Sequence, residues 1–301
     1  MAWRNRVIDS DAKLSLKNKQ LCIETETIKD TIPIEDINTL LIESRQSTLS
    51  TALIGELAKN GVALFICDEF HMPCAVLIPY LQHSRQHEVT KRQLELSTPA
   101  KKQLWKQIVI AKIRNQYKCL ALQGQDTASI ELERMSKLVK SGDSENIESQ
   151  AAAKYFLSIF GDRVVRKDDS DSRNSWLNYG YAILRGCIAR TLAVYGFLPL
   201  IGIQHHSQLN QFNLADDFIE PFRPIVDLFT AENALHSTEL TPETKRKIVN
   251  LVNYNIKIDG KKYTVSYAIE LMVKSFSSLL MGNRKDLLLP ELVPLELHKY
   301  E

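Results

Sequence analysis

The sequence predicts an α+β protein with two domains, a small N-terminal β-rich domain followed by a larger all-α-helical domain. At roughly 150 residues per domain, a chain of 301 residues favours two units. Short apolar runs bounded by turn residues fill 1–79, which we predict to be the β-rich domain. Polar residues without periodicity occupy 80–90, a predicted linker, and helical periodicity dominates 91–301 up to an irregular tail that begins at Leu288.

The N-terminal region is predicted to contain one hairpin, further short strands and a single helix. Alternating residues flank the turn-like Lys17-Asn18-Lys19 in the hairpin, and the other strands are apolar runs. The helix presents leucines at a spacing of four residues and is followed by a glycine where a C′ residue would lie. These segments are the hairpin 14–23, the strands 37–42, 62–67 and 74–78, and the helix capped by Ser47 or Thr48 that runs to Gly61.

The remainder of the chain is predicted to be helical. The first long helix opens at Thr98-Pro99, where proline suits the first helical turn. The predicted helices cover 98–122, 128–140, 145–160, 173–196, 213–231, 242–253 and 266–281.

Charge and motif content exclude several functional classes. Lys and Arg number 38 and Asp and Glu 36, so any nucleic-acid surface must be local. The five cysteines form no CxxC pair, which argues against a zinc finger. Neither a signal peptide nor an apolar run of the roughly 18 residues that span a bilayer occurs, so we expect a cytoplasmic protein without a membrane partner. P-loop, GxGxxG and GxSxG motifs are missing from the sequence, so ATP is not implied.

The segment 202–224 is the strongest candidate for a functional site. It places His205 and His206 in a loop that follows a glycine, and it then starts an acidic helix. Asp217 and Glu220 lie three residues apart, so a regular helix would put both carboxylates on one face, where they repel.

Two interpretations of this acidic helix remain open. Either Arg223 or a metal cation could compensate the paired carboxylates. Alternatively, Asp216 and Asp217 could form a solvated first turn that faces the helix dipole. That alternative explains Glu220 less well, because this residue lies among apolar neighbours and next to Pro221.

Glu148 is a second acidic candidate. It shares a predicted helix face with Ala152 and Tyr155, and the small neighbouring residues would allow another element to approach closely. A glutamate in a first helical turn is also commonplace. Two carboxylates and one imidazole would suit Mg²⁺ or Mn²⁺, and such a site performs phosphoryl chemistry.

Basic residues cluster in several segments. Each cluster alone is typical of a solvated face, but together they would permit a surface that follows a phosphate backbone. The candidate DNA-binding residues chosen on charge are Lys102, Lys106, Arg163, Arg166, Lys167, Arg173, Arg223, Lys245 and Arg246.

The motif in 202–224 resembles the signature of the CRISPR-associated spacer-acquisition integrase family ("Cas one", Cas1). That signature has a glycine, a histidine three residues later and an acidic helix that ends in Glu-Pro-Phe-Arg-Pro or a similar run. The segments 104–116, 148–156 and 177–185 resemble the type II subgroup of this family. The resemblance spans essentially the whole chain.

The resemblance implies a catalytic metal site in the helical domain. The family's metal ligands fall on Glu148, His205 and Glu220, with Mg²⁺ or Mn²⁺ as the cofactor. Many members have aspartate at the position of Glu220. Glutamate has a longer side chain but offers the same type of ligand, a carboxylate. Asp217 and His206 are the candidates for assisting roles.

The resemblance also implies an integrase of CRISPR adaptation with endonuclease activity. Its partners would be a prespacer duplex, the CRISPR leader-repeat, a second copy of the chain held through the β-domain, and the small adaptation partner "Cas two" (Cas2). The type II effector nuclease and an accessory adaptation protein are further expected partners. A structure-specific metal-dependent DNA nuclease and a non-catalytic DNA-binding scaffold are the alternatives.

Overall fold

The computed structural model describes residues 3–79, 83–161, 171–234 and 239–299. Within these ranges the chain forms ten strands, ten α-helices and several short 3₁₀ turns. The strands are β1 (Arg4–Ile8), β2 (Lys13–Lys17), β3 (Gln20–Glu24), β4 (Lys29–Pro33), β5 (Ile37–Ile42), β6 (Thr48–Leu49), β7 (Ala63–Cys67), β8 (Pro73–Val76), β9 (Asn255–Ile258) and β10 (Lys261–Thr264). The helices are α1 (Thr51–Lys59), α2 (Gln86–Leu94), α3 (Thr98–Leu122), α4 (Asp126–Ser136), α5 (Ile147–Phe160), α6 (Ser172–Val194), α7 (Asn213–Ile219), α8 (Arg223–Asn233), α9 (Pro242–Val249) and α10 (Val265–Leu280).

One sheet, with strand order β1-β5-β7-β8, lies between two hydrophobic cores. Its strands β1, β5 and β7 are parallel, and β8 is antiparallel to β7. Leu40 and Leu64 belong to a core shared with α1 and the second sheet, whereas Leu41 and Phe65 belong to the main core shared with the later helices. Every residue of β5 is therefore buried, which explains its continuous apolar sequence.

The second sheet, with order β4-β3-β2-β6, contains the predicted hairpin. Asn18 and Lys19 form its turn with φ angles of 50° and 59°. Two central residues with positive φ match the twist of the flanking strands. The cap predicted for the following helix is wrong, because Thr48 pairs with β2 and Ser50 caps α1 by accepting a hydrogen bond from the Leu53 amide.

Helix α2 begins inside the segment 80–90 that the sequence predicted to be a linker and includes its last five residues, 86–90. Among its buried residues, Gln93 makes the main polar attachment. Its amide donates to the carbonyls of Leu198 and Ile201 and accepts from the Leu198 backbone amide. A helix that docks through a glutamine shows no apolar periodicity, so the sequence pattern did not reveal it.

The C-terminal part is helical but not all-α. Strands β9 and β10 form an antiparallel hairpin around Asp259 and Gly260, which have φ angles of 50° and 76°. These four-residue strands are rich in lysine, and the Asp-Gly turn was their main sequence signal. The predicted helix 213–231 is interrupted by a 3₁₀ turn at Glu220–Phe222, where Pro221 cannot donate a backbone hydrogen bond. The protein is thus a mixed α+β fold with a β-rich N-terminal region, and its division into two domains remains a prediction.

The two longest helices, α3 and α6, organise the C-terminal region. Helix α3 buries three polar residues, Lys112, Asn115 and Gln116, in addition to its apolar side chains. Helix α6 contacts the central sheet through Gly186, against which the Phe65 ring is packed. No helix in the described ranges is both long enough and apolar enough to cross a lipid bilayer.

We predict that Gly186→Ala lowers the free energy of unfolding by about 1–3 kcal/mol. A Cβ atom on Gly186 would lie 2.1 Å from Cε1 of Phe65, so the sheet and α6 would have to separate. Gly55→Ala is the matched control, because Gly55 is also helical and a Cβ atom there would have no other atom within 4 Å. The control should be neutral or stabilising by up to about 1 kcal/mol. Urea unfolding of both variants checks this, and equal effects would contradict it.

Candidate active site

Backbone amides that bind Asp217 fix the loop carrying His205 and His206, here called the histidine loop. The Asp217 carboxylate is fully buried and accepts hydrogen bonds from the amides of Ile203, Gln204 and His205 at 2.5, 3.1 and 3.1 Å. Gly202 is required here, because a Cβ atom would lie 2.2 Å from the His205 carbonyl oxygen and 2.9 Å from Asp217 Oδ2. The Gly-to-His spacing in the sequence thus reflects a close approach of the backbone to a carboxylate.

The same carboxylate orients the His205 ring. His205 Nδ1 lies 2.8 Å from Asp217 Oδ1, and since a carboxylate only accepts, Nδ1 carries the proton. Nε2 of the neutral ring is then left with a free lone pair, and the side chain is 44% exposed. The hydrogen bond to Asp217 raises the pKa of His205, and burial opposes this effect. Trp105 packs edge-on against the ring at a centroid distance of 5.9 Å.

Glu148 lies in the first turn of α5, where a second carboxylate organises the backbone. Asp143 accepts hydrogen bonds from the amides of Ile147 and Glu148 at 2.9 and 3.0 Å. Asp143 and Asn146 both adopt positive φ, at 49° and 53°, which lets the chain turn back onto the start of the helix. The Glu148 carboxylate is consequently held at the N-terminal end of α5, and its Oε1 contacts the Lys112 ammonium.

Glu220 lies in the 3₁₀ turn between α7 and α8 and is buried against two cations. Arg223 Nε donates to Glu220 Oε1 at 2.9 Å, and Lys112 Nζ lies 2.5 Å from Oε2. Burial alone would raise the pKa of Glu220, but Arg223 and Lys112 outweigh it and lower the pKa to about 2. Burial would likewise lower the pKa of Lys112, but Glu220 and Glu148 outweigh burial and raise it. Lys112 and Arg223 thus offset the charge of Glu220, and together with Glu148 these residues form the charge cluster of the site.

Asp217 and Glu220 lie three residues apart but have different partners. Asp217 faces the histidine loop, whereas Glu220 faces Lys112 and Arg223. The prediction that the two carboxylates share a helix face stays a prediction, but each has its own hydrogen-bonding partners. Arg223 does provide the compensation that the sequence analysis considered, and its guanidinium also stacks over the Tyr181 ring at 4.5 Å.

The other acidic and histidine candidates lie at the margin of this cluster. His206 is exposed, and its Nδ1 hydrogen-bonds the Gln204 carbonyl at 2.8 Å. Asp216 accepts a hydrogen bond from Asn210 at 2.6 Å and lies 3.9 Å from Arg185. Neither side chain takes part in the charge cluster around Glu220.

Three residues of the site were not selected from the sequence. Lys112 was not among the candidates chosen from the sequence, but it joins Glu148 to Glu220. Asn115, one turn later, is 1% exposed and donates to the carbonyls of Pro221 and Pro290 at 2.7 and 3.0 Å. Asp143 organises the start of α5. The only local signal was the presence of polar residues within a helix that is otherwise apolar on several sides.

The residues chosen as DNA contacts fall into three groups. Lys102 is exposed and Lys106 partly exposed on α3, and both remain candidates. The others within the described ranges are engaged with carboxylates of the chain: Arg173 with Asp171, Arg223 with Glu220, Lys245 with Glu43, and Arg246 with Asp9. Lys245 is 6% exposed and cannot contact DNA from this position. Arg163, Arg166 and Lys167 lie outside the described residues.

The donor set around Glu220 fits a hard divalent cation in its chemistry. Carboxylate oxygens and one imidazole nitrogen suit Mg²⁺ or Mn²⁺. Glu220 Oε2 is buried and accepts no hydrogen bond of good geometry, although Lys112 Nζ is close to it. Such an oxygen can be satisfied by a metal ion. In the described parts of the chain, however, no three His, Cys, Asp or Glu side chains come together closely enough to hold a metal. The Lys112 ammonium lies between the two glutamates instead.

Comparison with known proteins gives consistent family matches. A family model described as "CRISPR associated protein Cas1" matches residues 6–265. The chain is 43% identical over 305 residues to the CRISPR-associated endonuclease Cas1 of Neisseria meningitidis serogroup C (strain 8013), and the alignment covers 100% of both proteins.

Solved structures share the fold at lower identity. One, described as "Casposase bound to integration product", matches with a TM-score of 0.77 at 22% identity, over 93% of this chain and 91% of that chain. Another, described as "Cas6-RT-Cas1–Cas2 complex", matches with a TM-score of 0.71 at 18% identity, over 92% of this chain and 35% of that chain. At these identities the likeness establishes the fold alone.

We predict that Asp217→Asn lowers the pKa of His205, because the hydrogen-bonded carboxylate is the main cause of its increase. In the wild type, a raised folded-state pKa stabilises the protein fully below the unfolded value of about 6.5 and loses that effect as pH rises through the folded value. The stability lost in the variant should therefore be larger at pH 5.5 than at pH 9. NMR titration of the histidines and denaturant unfolding at the two pH values test this.

Asp216→Asn provides the control for this prediction. It makes the same substitution one residue earlier, at a carboxylate that does not contact His205 and whose charge contributes least to the raised pKa of His205. Its His205 titration should stay close to that of the wild type. An unchanged His205 pKa in Asp217→Asn would contradict the role assigned to Asp217.

Proposed function

The chain belongs to the CRISPR-associated Cas1 family, and from this premise we propose that it is a metal-dependent DNA integrase of CRISPR adaptation. The reaction is a transesterification in which the 3′-hydroxyl of a prespacer strand attacks a phosphodiester of the CRISPR repeat. A new P–O bond forms as the old one breaks, and the displaced 3′-oxygen takes up the proton that the attacking hydroxyl loses. One phosphodiester replaces another, so no nucleotide is consumed, in agreement with the sequence, which has no P-loop motif.

Glu148, His205 and Glu220 would hold Mg²⁺ or Mn²⁺ in this proposal. The cation would polarise the phosphate, lower the pKa of the attacking hydroxyl and offset charge on the leaving oxygen. The single observation that carries the proposal is the convergence of Glu148 and Glu220 on one cationic nitrogen, with the charge of Glu220 also acting on His205.

The chain's own residues prepare the site. Asp217 keeps the His205 proton on Nδ1 and so directs the Nε2 lone pair outward. Arg223 keeps Glu220 ionised inside the protein, as a ligand of a hard cation must be. Asn115 ties the turn that carries Glu220 to α3 and to the C-terminal tail, which limits the movement of this ligand.

The proposed partners are a prespacer duplex, the leader-repeat, a second copy of the chain and Cas2. The similar chains in a Cas1–Cas2 complex and in a casposase bound to an integration product support an assembly of this kind. The full-length relative is named an endonuclease, which supports a second candidate function, hydrolysis of branched DNA with water as the nucleophile. We also include the type II effector nuclease and an accessory adaptation protein among the proposed partners.

We predict that Glu148→Ala reduces strand transfer by about a hundredfold or more, since it removes a ligand oxygen of the proposed cation. The assay combines the chain, its Cas2 partner, a short duplex with free 3′-hydroxyls and a supercoiled plasmid carrying the repeat, with Mg²⁺ or Mn²⁺. Glu145→Ala is the matched control, because Glu145 is exposed nearby and pairs only with Lys140 among the described residues. This control should retain full activity.

Joining that requires metal and is abolished by 3′-blocked DNA would support the integrase. Plasmid nicking without joining would support the nuclease instead. Joining by Glu148→Ala at the wild-type rate would contradict the ligand assignment. DNA binding with neither nicking nor joining would support the scaffold alternative.

A further inference from the structure

The centre of the charge cluster is occupied by an ammonium group of the chain itself. Lys112 projects from the middle of α3, its side chain is 10% exposed, and its Nζ contacts Glu148 Oε1 and lies 2.5 Å from Glu220 Oε2. Glu148 and Glu220 belong to separate elements that are 72 positions apart in the chain. Lys112 is therefore the group that brings these two carboxylates together.

The two glutamates depend on Lys112 to different degrees. Glu220 has a second cation, because Arg223 Nε binds its other oxygen at 2.9 Å. For Glu148, the only ion pair within the described residues is the one with Lys112. Without a cation at this place, two carboxylates would face each other in a poorly solvated pocket, and burial of unpaired like charges is strongly unfavourable.

A divalent cation bound by the same glutamates would need the same space. Ligand oxygens lie about 2.0–2.4 Å from Mg²⁺ or Mn²⁺, closer than they lie to an ammonium nitrogen. A cation bridging Glu148 and Glu220 would therefore stand within van der Waals contact of Lys112 Nζ. Repulsion between the two cations in a partly desolvated site is large, so both cannot remain there.

We propose that Lys112 is a positioning residue that occupies the place of the metal cation in the metal-free protein and is displaced when the metal binds. It holds the two carboxylates close together until then, and it competes with the metal for them. The inference rests on the proposed function, because it concerns the same ligands. It accounts for a cluster of suitable donors that, among the residues described, does not form a three-ligand site.

The first test measures Mn²⁺ binding to the full-length protein by electron paramagnetic resonance of the free ion. Lys112→Met removes the competing charge but keeps an unbranched apolar chain of nearly the same length. It should bind Mn²⁺ about tenfold more tightly than the wild type. It should also melt at a lower temperature without metal and gain more from saturating Mn²⁺. Lys118→Met is the control on the same helix, because Lys118 pairs with Glu291 outside the cluster and should leave the affinity unchanged.

A purely structural lysine would give a different pattern. Its removal would lower the melting temperature equally with and without Mn²⁺ and would not tighten binding. Lys112→Arg should restore the wild-type affinity, because it returns the competing charge. Unchanged or weaker Mn²⁺ binding by Lys112→Met would overturn the proposal.

A second test uses the wild-type chain and does not depend on the folding of a variant. Acetylation of lysines, followed by mass spectrometry, reports the accessibility of each amine. Saturating Mn²⁺ should increase the labelling of Lys112 severalfold, whereas Lys245, which is equally buried against Glu43, should not respond. Bound Mn²⁺ with no change at Lys112 would overturn the displacement while leaving the metal site in place. Failure of both the wild type and Lys112→Met to bind Mn²⁺ would instead reject the metal-dependent function, and the displacement with it.

Discussion

The need to balance buried charge determines how the central part of this protein is arranged. The buried Glu220 stays ionised because Arg223 and Lys112 accompany it, and Lys112 also contacts Glu148. The requirement joins α3, the start of α5 and the turn between α7 and α8, three segments that are distant in sequence. It also explains why α3 carries a lysine, Lys112, on its buried surface, where a bundle helix would ordinarily be apolar.

The histidine loop is held instead by hydrogen bonds to one buried carboxylate, that of Asp217. A carboxylate that accepts three backbone amides and one ring nitrogen fixes the path of the chain and the tautomer of His205 at the same time. The absence of a side chain at Gly202 permits this close approach. In the helical half of the site, Asn115 has the corresponding role, since it binds two carbonyls and the Leu292 amide and so locates the turn that carries Glu220.

The sequence predicted those structural elements whose formation depends on residues close together in the chain. The β2–β3 hairpin, the buried strand β5 and the Pro99 start of α3 follow from turn chemistry and periodicity, and they are present. The importance of the glycine-to-histidine segment was also visible, although the roles of Glu148, His205 and Glu220 came from family resemblance. Lys112 and Lys245 could not be identified as buried, because their partners lie 36 and 202 positions away. Helix α2 was missed for a related reason, because it docks through a single valine, Val89, and the side-chain amide of Gln93 rather than through an apolar stripe.

The central sheet has a practical consequence for dissecting this protein into parts. One face of the sheet packs against the helices through Leu41, Ala63 and Phe65. A fragment ending near residue 79 would expose these side chains to water as an apolar patch that favours association. The helical fragment would expose the complementary apolar surface, including the notch at Gly186 that the Phe65 ring fills. We therefore expect each fragment to self-associate unless the other fragment covers its apolar surface. Biochemical work on this chain is therefore best done with point variants of the intact molecule rather than with truncations.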